Sequence, residues 1–133
     1  VTRRCAKLIG RTIDDVGAKL RAMPEAQRPG KVLIMIQTDG AENCSGPAYS
    51  RERIRDMIKH QRDKYSWDFV FIGTTEKAIA DAVEMGVRPT FTVNYAATPE
   101  GTGDVMRTMS LGVRNFRSTN KADIDKADYS FSK

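Results

Sequence analysis

Apolar residues follow two alternating rhythms along this chain. From about Ala6 to Met23 they fall at Ile9, Ile13, Val16 and Leu20, a single stripe at helical spacing. Asp14 and Asp15 take the polar side and read as surface. Gly17 lies on the apolar side, either as a point of close approach or as a tolerated helical glycine. Pro24 and the following EAQRPG end this helix. Val32 to Ile36 is then an unbroken apolar run, too short for a typical helix and closed at once by turn residues. It predicts a strand buried on both faces. A polar loop runs from Thr38 to Ser50, long for a strand-to-helix connection. Ser50 can cap the next helix, with Glu52 in its first turn and Ile54, Met57, Ile58 and Tyr65 as its buried stripe.

The same alternation then repeats. Trp67 to Gly73 (WDFVFIG) predicts a second strand. Thr74 or Thr75 can cap a helix through Ile79, Ala80, Val83 and Met85, with Gly86 placed as its left-handed C-terminal residue. Pro89 breaks the chain, and Phe91 to Asn94 predicts a third, shorter strand. Thr98-Pro99-Glu100 is a strong helix start: a capping hydroxyl, proline at the first helical position, then an acid. Val105, Met109, Val113 and Phe116 mark one face of that helix, which should end near Arg117. From residue 118 to 133 the chain is polar and weakly patterned, so a frayed or loosely docked tail is expected beyond a domain of residues 1–117. Helices alternating with strands predict an α/β fold, a parallel sheet with helices on both faces.

Composition narrows the picture only a little. A chain of 133 residues with 40% hydrophobic and 29% charged residues reads as one ordinary soluble domain. No run is long enough to span a bilayer, and VTRRCAKLIG lacks the apolar core of an export signal, so a cytoplasmic location is expected. Cys5 and Cys44 show no paired spacing and read as free thiols. The net charge of +5 raises the question of anionic partners. The basic residues are scattered, however: Arg3, Arg4, Lys7 and Arg11, then Arg51, Arg53, Arg55, Lys59, Arg62 and Lys64. The second set alternates with Glu52, Asp56 and Asp63, as on a solvated helix face, and no aromatic platform accompanies it. Nucleic-acid binding through that helix is the weaker reading. His60, the only histidine, falls on the polar side of the same helix without a partner for acid–base work.

Candidate chemistry gathers where the strands end. Ligand crevices of open α/β sheets lie at the carboxyl ends of the strands. Here those ends carry Thr38-Asp39-Gly40, Gly73-Thr74-Thr75 and Asn94-Tyr95. Asp39 reads either as a turn cap or as a functional carboxylate. No nucleophile elbow, phosphate-binding glycine loop or dinucleotide fingerprint follows any of the strands, and Gly101-Thr102-Gly103 lies inside a helix start. Zinc-type spacing is absent, whereas hard oxygen ligands would suit magnesium, manganese or calcium. A small Rossmann-like nucleotide-binding protein or enzyme using this edge is one reading, motivated by the polar loop and the positive charge.

A second reading comes from a resemblance. IGRTIDDVG, RPGKVLIMIQTDGAEN, AYSRERIRDMIKHQRDKYSWDFVFIG and NYAATPEGTGDVM together resemble the C-terminal half of a von Willebrand factor A-type domain, in the stand-alone form common in bacteria and their phages. The resemblance covers about Ile9 to Arg117. It implies a truncated Rossmann-like three-layer α/β/α arrangement, with a mainly parallel sheet of about three strands and four helices. It also implies a metal-ion-dependent adhesion site whose third loop is Thr38, Asp39 and Gly40. The family's first strand, ending in Asp-x-Ser-x-Ser, is expected ahead of everything seen here. Arg3 stands where the second-loop threonine belongs, with Thr2 beside it. Asp128, Ser130 and Ser132 spell the first-loop pattern at the far end but follow no apolar strand. The expectation is a non-catalytic protein-interaction module with a degenerate site, holding Mg2+ or Mn2+ weakly or not at all through Asp39 and Thr38. Its partner-binding edge would comprise Thr38, Asp39, Gly40, Glu42, Asn43 and Thr74. Without the first strand, Val32–Ile36 becomes an apolar sheet edge, for which a homodimer is the expected cover.

Overall fold

Three parallel strands in consecutive order make the sheet, β1 (Leu33–Gln37), β2 (Asp68–Gly73) and β3 (Thr92–Asn94). The structure, a computed structural model, describes residues 2–37, 51–96, 98–126 and 131, with residues 2–8 and 51 described by backbone only. Helices α1 (Thr2–Ala22), α2 (Arg51–Tyr65), α3 (Glu76–Glu84) and α4 (Pro99–Ser118) alternate with the strands, and a single turn, α5 (Lys121–Ile124), follows. This is the expected α/β architecture with an all-parallel sheet. No helix among the described residues is long and apolar enough to cross a membrane.

Strand parity sets the two layers. Phe69 and Phe71 of β2 share a face with Ile34 and Ile36 of β1. A side chain at Gly73, on that face, would meet Ala78 and Ile79 of α3. Helix α2 packs against α1, and Ile58 of α2 lies beside Gly86 at the end of α3, so α1, α2 and α3 cover this face. Asp68, Val70 and Ile72 point the other way, sharing their face with Leu33, Met35 and Val93. There α4 packs through Val105, Met109 and Phe116. Lys31, two residues before Leu33 and on its side, donates to the carbonyls of Phe116 (2.7 Å), Arg117 (3.1 Å) and Thr119, placing a cation where the helix dipole favours one.

The structure corrects several local expectations. The strand buried on both faces is β2, all six residues of which are buried, whereas Met35 in β1 is 44% exposed. A strand needs a neighbour on each side to be covered fully, and among the described residues only β2 has two. Tyr65 does not join the buried stripe of α2, which rests on Ile54 and Ile58. In α3 the cap is Thr75, accepting from Ala78 N at 3.1 Å. That cap sets the phase of the helix, so Ala78, Ala82 and Met85 are buried, while Ala80 and Val83 face outward. Gly86 has the positive φ expected of it, +103°. Among the described residues, a side chain at Gly17 would meet only the Arg21 guanidinium, at 3.6 Å.

The largest correction concerns the tail. Its described part is packed against the domain, with Ile124 and Phe131 both buried. Phe131 stands 6.0 Å from the ring of Phe91 and 6.4 Å from that of Phe116, and its amide donates to Thr90 O at 3.0 Å. It reaches α4 at Gly112, where a Cβ would come within 2.6 Å of the Phe131 carbonyl oxygen. Only glycine at that position lets the segment lie down.

Candidate functional site

At the carboxyl edge, β1 ends at Gln37, β2 at Gly73 and β3 at Asn94. Tyr95 N donates to Gly73 O at 3.0 Å, extending the β2–β3 ladder. Gln37 Nε2 lies 3.4 Å from Tyr95 Oη and donates to it across the end of the sheet. Two of the hydroxyls gathered here are committed to helix starts: Thr75 accepts from Ala78 N, and Thr98 from Gly101 N at 2.9 Å. Thr74 stands beside them, half-buried, at the end of β2. Of the predicted site residues it is the one the structure places. Thr38, Asp39, Gly40, Glu42 and Asn43 lie outside the described residues, as do Asp128, Ser130 and Ser132. The described part of the edge therefore offers amides and hydroxyls, which are neutral donors and acceptors. Among the described residues no three His, Cys, Asp or Glu side chains come together as a metal site.

The border of the sheet has a sharper character. Asp68 N donates to Val32 O at 2.9 Å, so the main-chain groups of Val32, Ile34 and Ile36 turn toward β2. Those of Leu33, Met35 and Gln37 turn outward. Among the described residues β1 has a strand neighbour on one side only. Its sequence, LIMIQ, carries no charge and no proline, the usual devices that keep an edge from pairing.

A charged cluster at the opposite end went unnoticed in the sequence. Asp68, the first residue of β2, is fully buried and paired with both Arg88 and Lys121. Asp125 lies 3.5 Å from each of these two cations, and Arg88 also stacks over the Phe91 ring, 4.5 Å from its centroid. Arg62, assigned by sequence to the solvated face of α2, instead donates to Gly86 O. Burial, together with the nearby Arg88, holds its guanidinium below the ordinary arginine value. The two oxygens of Asp68 are occupied by two cations, one of them from the tail, which suits anchoring it. The one signal in the sequence was a carboxylate opening an otherwise apolar strand. His60 is exposed, edge-on to Tyr65 with ring centroids 5.7 Å apart. Comparisons with protein-family models, curated proteins and solved structures match nothing.

Proposed function

We propose that this chain is a non-catalytic protein-interaction module of von Willebrand factor A-like type that works by strand addition at the outer edge of β1. Its first partner is a second copy of itself. The carrying observation is that edge: main-chain groups of Leu33, Met35 and Gln37 turned outward, with Met35 exposed beside them. A two-fold antiparallel pairing centred on Met35 sets Met35 against its own copy and Leu33 against the partner's Gln37, each pair exchanging both main-chain bonds. An uncharged strand suits self-pairing because no like charges meet across the axis. Light scattering from micromolar to about millimolar concentration should show mass rising toward a dimer, and Met35→Lys should hold the chain monomeric. A monomer throughout, or a dimer unaffected by Met35→Lys, refutes the reading.

The metal clause of the proposal concerns the other edge. Thr38, Asp39 and Gly40 follow the last residue of β1 in sequence, and one carboxylate with neutral neighbours holds a divalent ion weakly. Calorimetric titration with Mg2+ and Mn2+, repeated on Asp39→Ala, tests it. Tight binding unchanged in the variant removes Asp39 from the site.

A further inference from the structure

A cleft opens on the α1–α2 side of the sheet at the amino ends of the strands, away from the carboxyl edge. Val32 and Trp67, each one residue before its strand, form its floor with Leu20 of α1, and Gln61 and Tyr65 of α2 form a wall. Its volume is about 150 Å³, room for one aromatic ring. Arg21 and Arg28 stand at its mouth. Arg28 is held in place from behind: its Nε donates to Met23 O at 3.2 Å and one terminal nitrogen to Arg21 O at 3.4 Å. These acceptors are neutral, so neither hydrogen bond compensates the charge. Among the described residues no carboxylate lines the cleft and neither arginine is ion-paired. Trp67 is only 4% exposed, yet its indole N–H has no acceptor among the described residues, whereas a buried indole usually finds one. The polar groups are thus rich in donors around an apolar floor, and their formal charge is wholly positive.

We propose that this cleft binds a small carboxylate carrying a single aromatic ring. The ring lies on Leu20, Val32 and Trp67, and the carboxylate meets the guanidinium groups of Arg21 and Arg28, whose planar forks match its geometry. The Gln61 amide and the Tyr65 hydroxyl are further donors along the wall, and Trp67 is the floor residue with a donor of its own. This assignment is independent of the pairing at β1, which uses a different part of the molecule.

The chain contains one tryptophan, so its indole resonance and its fluorescence report on the surroundings of Trp67. Titrating benzoate into the full chain should move the indole N–H resonance to saturation, with benzamide at least about tenfold weaker because it lacks the charge. Arg21→Gln and Arg28→Gln should each weaken benzoate by about fivefold or more. Arg28 also supports two main-chain carbonyls, so Arg21→Gln is the variant in which the fold is not at stake. Three outcomes overturn the proposal: no indole shift up to about 20 mM benzoate, equal binding of benzamide, or an equal response to inorganic phosphate, which would mark an unselective cationic patch.

Discussion

Replacing Phe131 with alanine tests whether the end of the chain belongs to the core. Phe131 is 1% exposed, and rings of Phe91 and Phe116 flank it at 6.0 and 6.4 Å. Phe→Ala in a well-packed core costs about 3–5 kcal/mol, more where the surroundings cannot close over the void. Here the wall at Gly112 is helix backbone, already so close that an added Cβ would sit 2.7 Å from a ring carbon of Phe131. Rigid backbone cannot collapse inward, which places the expected loss at about 4 kcal/mol. With a urea dependence of roughly 2 kcal/mol per molar for a domain of this size, the midpoint should fall by about 2 M. Unfolding followed by Trp67 fluorescence measures it. Gly112→Ala should cost a comparable amount by expelling the ring from the other side. Combined with Phe131→Ala it should add much less than it costs alone, because both changes act on one contact. A loss within about 0.5 kcal/mol, the range of ordinary surface changes, would refute docking of this segment.

Further outcomes follow from the two anchors beneath the sheet. Asp68→Asn removes the shared partner of Arg88 and Lys121, and urea unfolding should show a loss of about 3 kcal/mol, the low end for breaking a buried pair because both cations keep some solvent. Lys31→Met keeps the aliphatic stem but strips the C-terminal carbonyls of α4 of their cation. It should cost about 1–2 kcal/mol in the same measurement, and hydrogen exchange in the last turn of α4 should quicken.

The layout of the fold was legible because two periods interleave cleanly, and Thr98-Pro99-Glu100 and Gly86 mark helix ends by chemistry that acts locally. What stayed hidden depends on neighbours the chain supplies from far away. LIMIQ and DFVFIG are both apolar runs, and only the strand order, with β2 between the others, makes one a centre and the other a border among the described residues. Ile124 and Phe131 are lone apolar residues in a polar stretch. A one-turn helix and a single anchoring ring have no period to detect, so their burial left no trace in the pattern. Of the expected site at the carboxyl edge, Thr74 alone falls among the described residues. Thr74, Thr75 and Asn94-Tyr95 do lie at strand ends, and Thr75 and Thr98 spend their oxygens on the helix caps that the sequence offered; what it left open was the choice between Thr74 and Thr75. The cleft at Arg21 and Arg28 draws its lining from α1, the turn before β1, and α2, and no single stretch of sequence contains it.

The open border also bounds how strong its pairing can be. Five residues of β1 span about 17 Å, and a strand-to-strand contact of that length falls short of the roughly 1,200 Å² total that stable interfaces bury. Main-chain bonds alone add little net stability, since water satisfies the same groups in the free chain. The surplus must come from side chains flanking the axis, and on the α4 face these are Met35, Leu33 and Gln37. Facing its own copy, Met35 becomes the central apolar contact; a lysine there meets a second lysine across the axis instead. Pairing should therefore be weak, concentration-dependent and carried largely by one side chain. A tight dimer that tolerates Met35→Lys would have to use another surface.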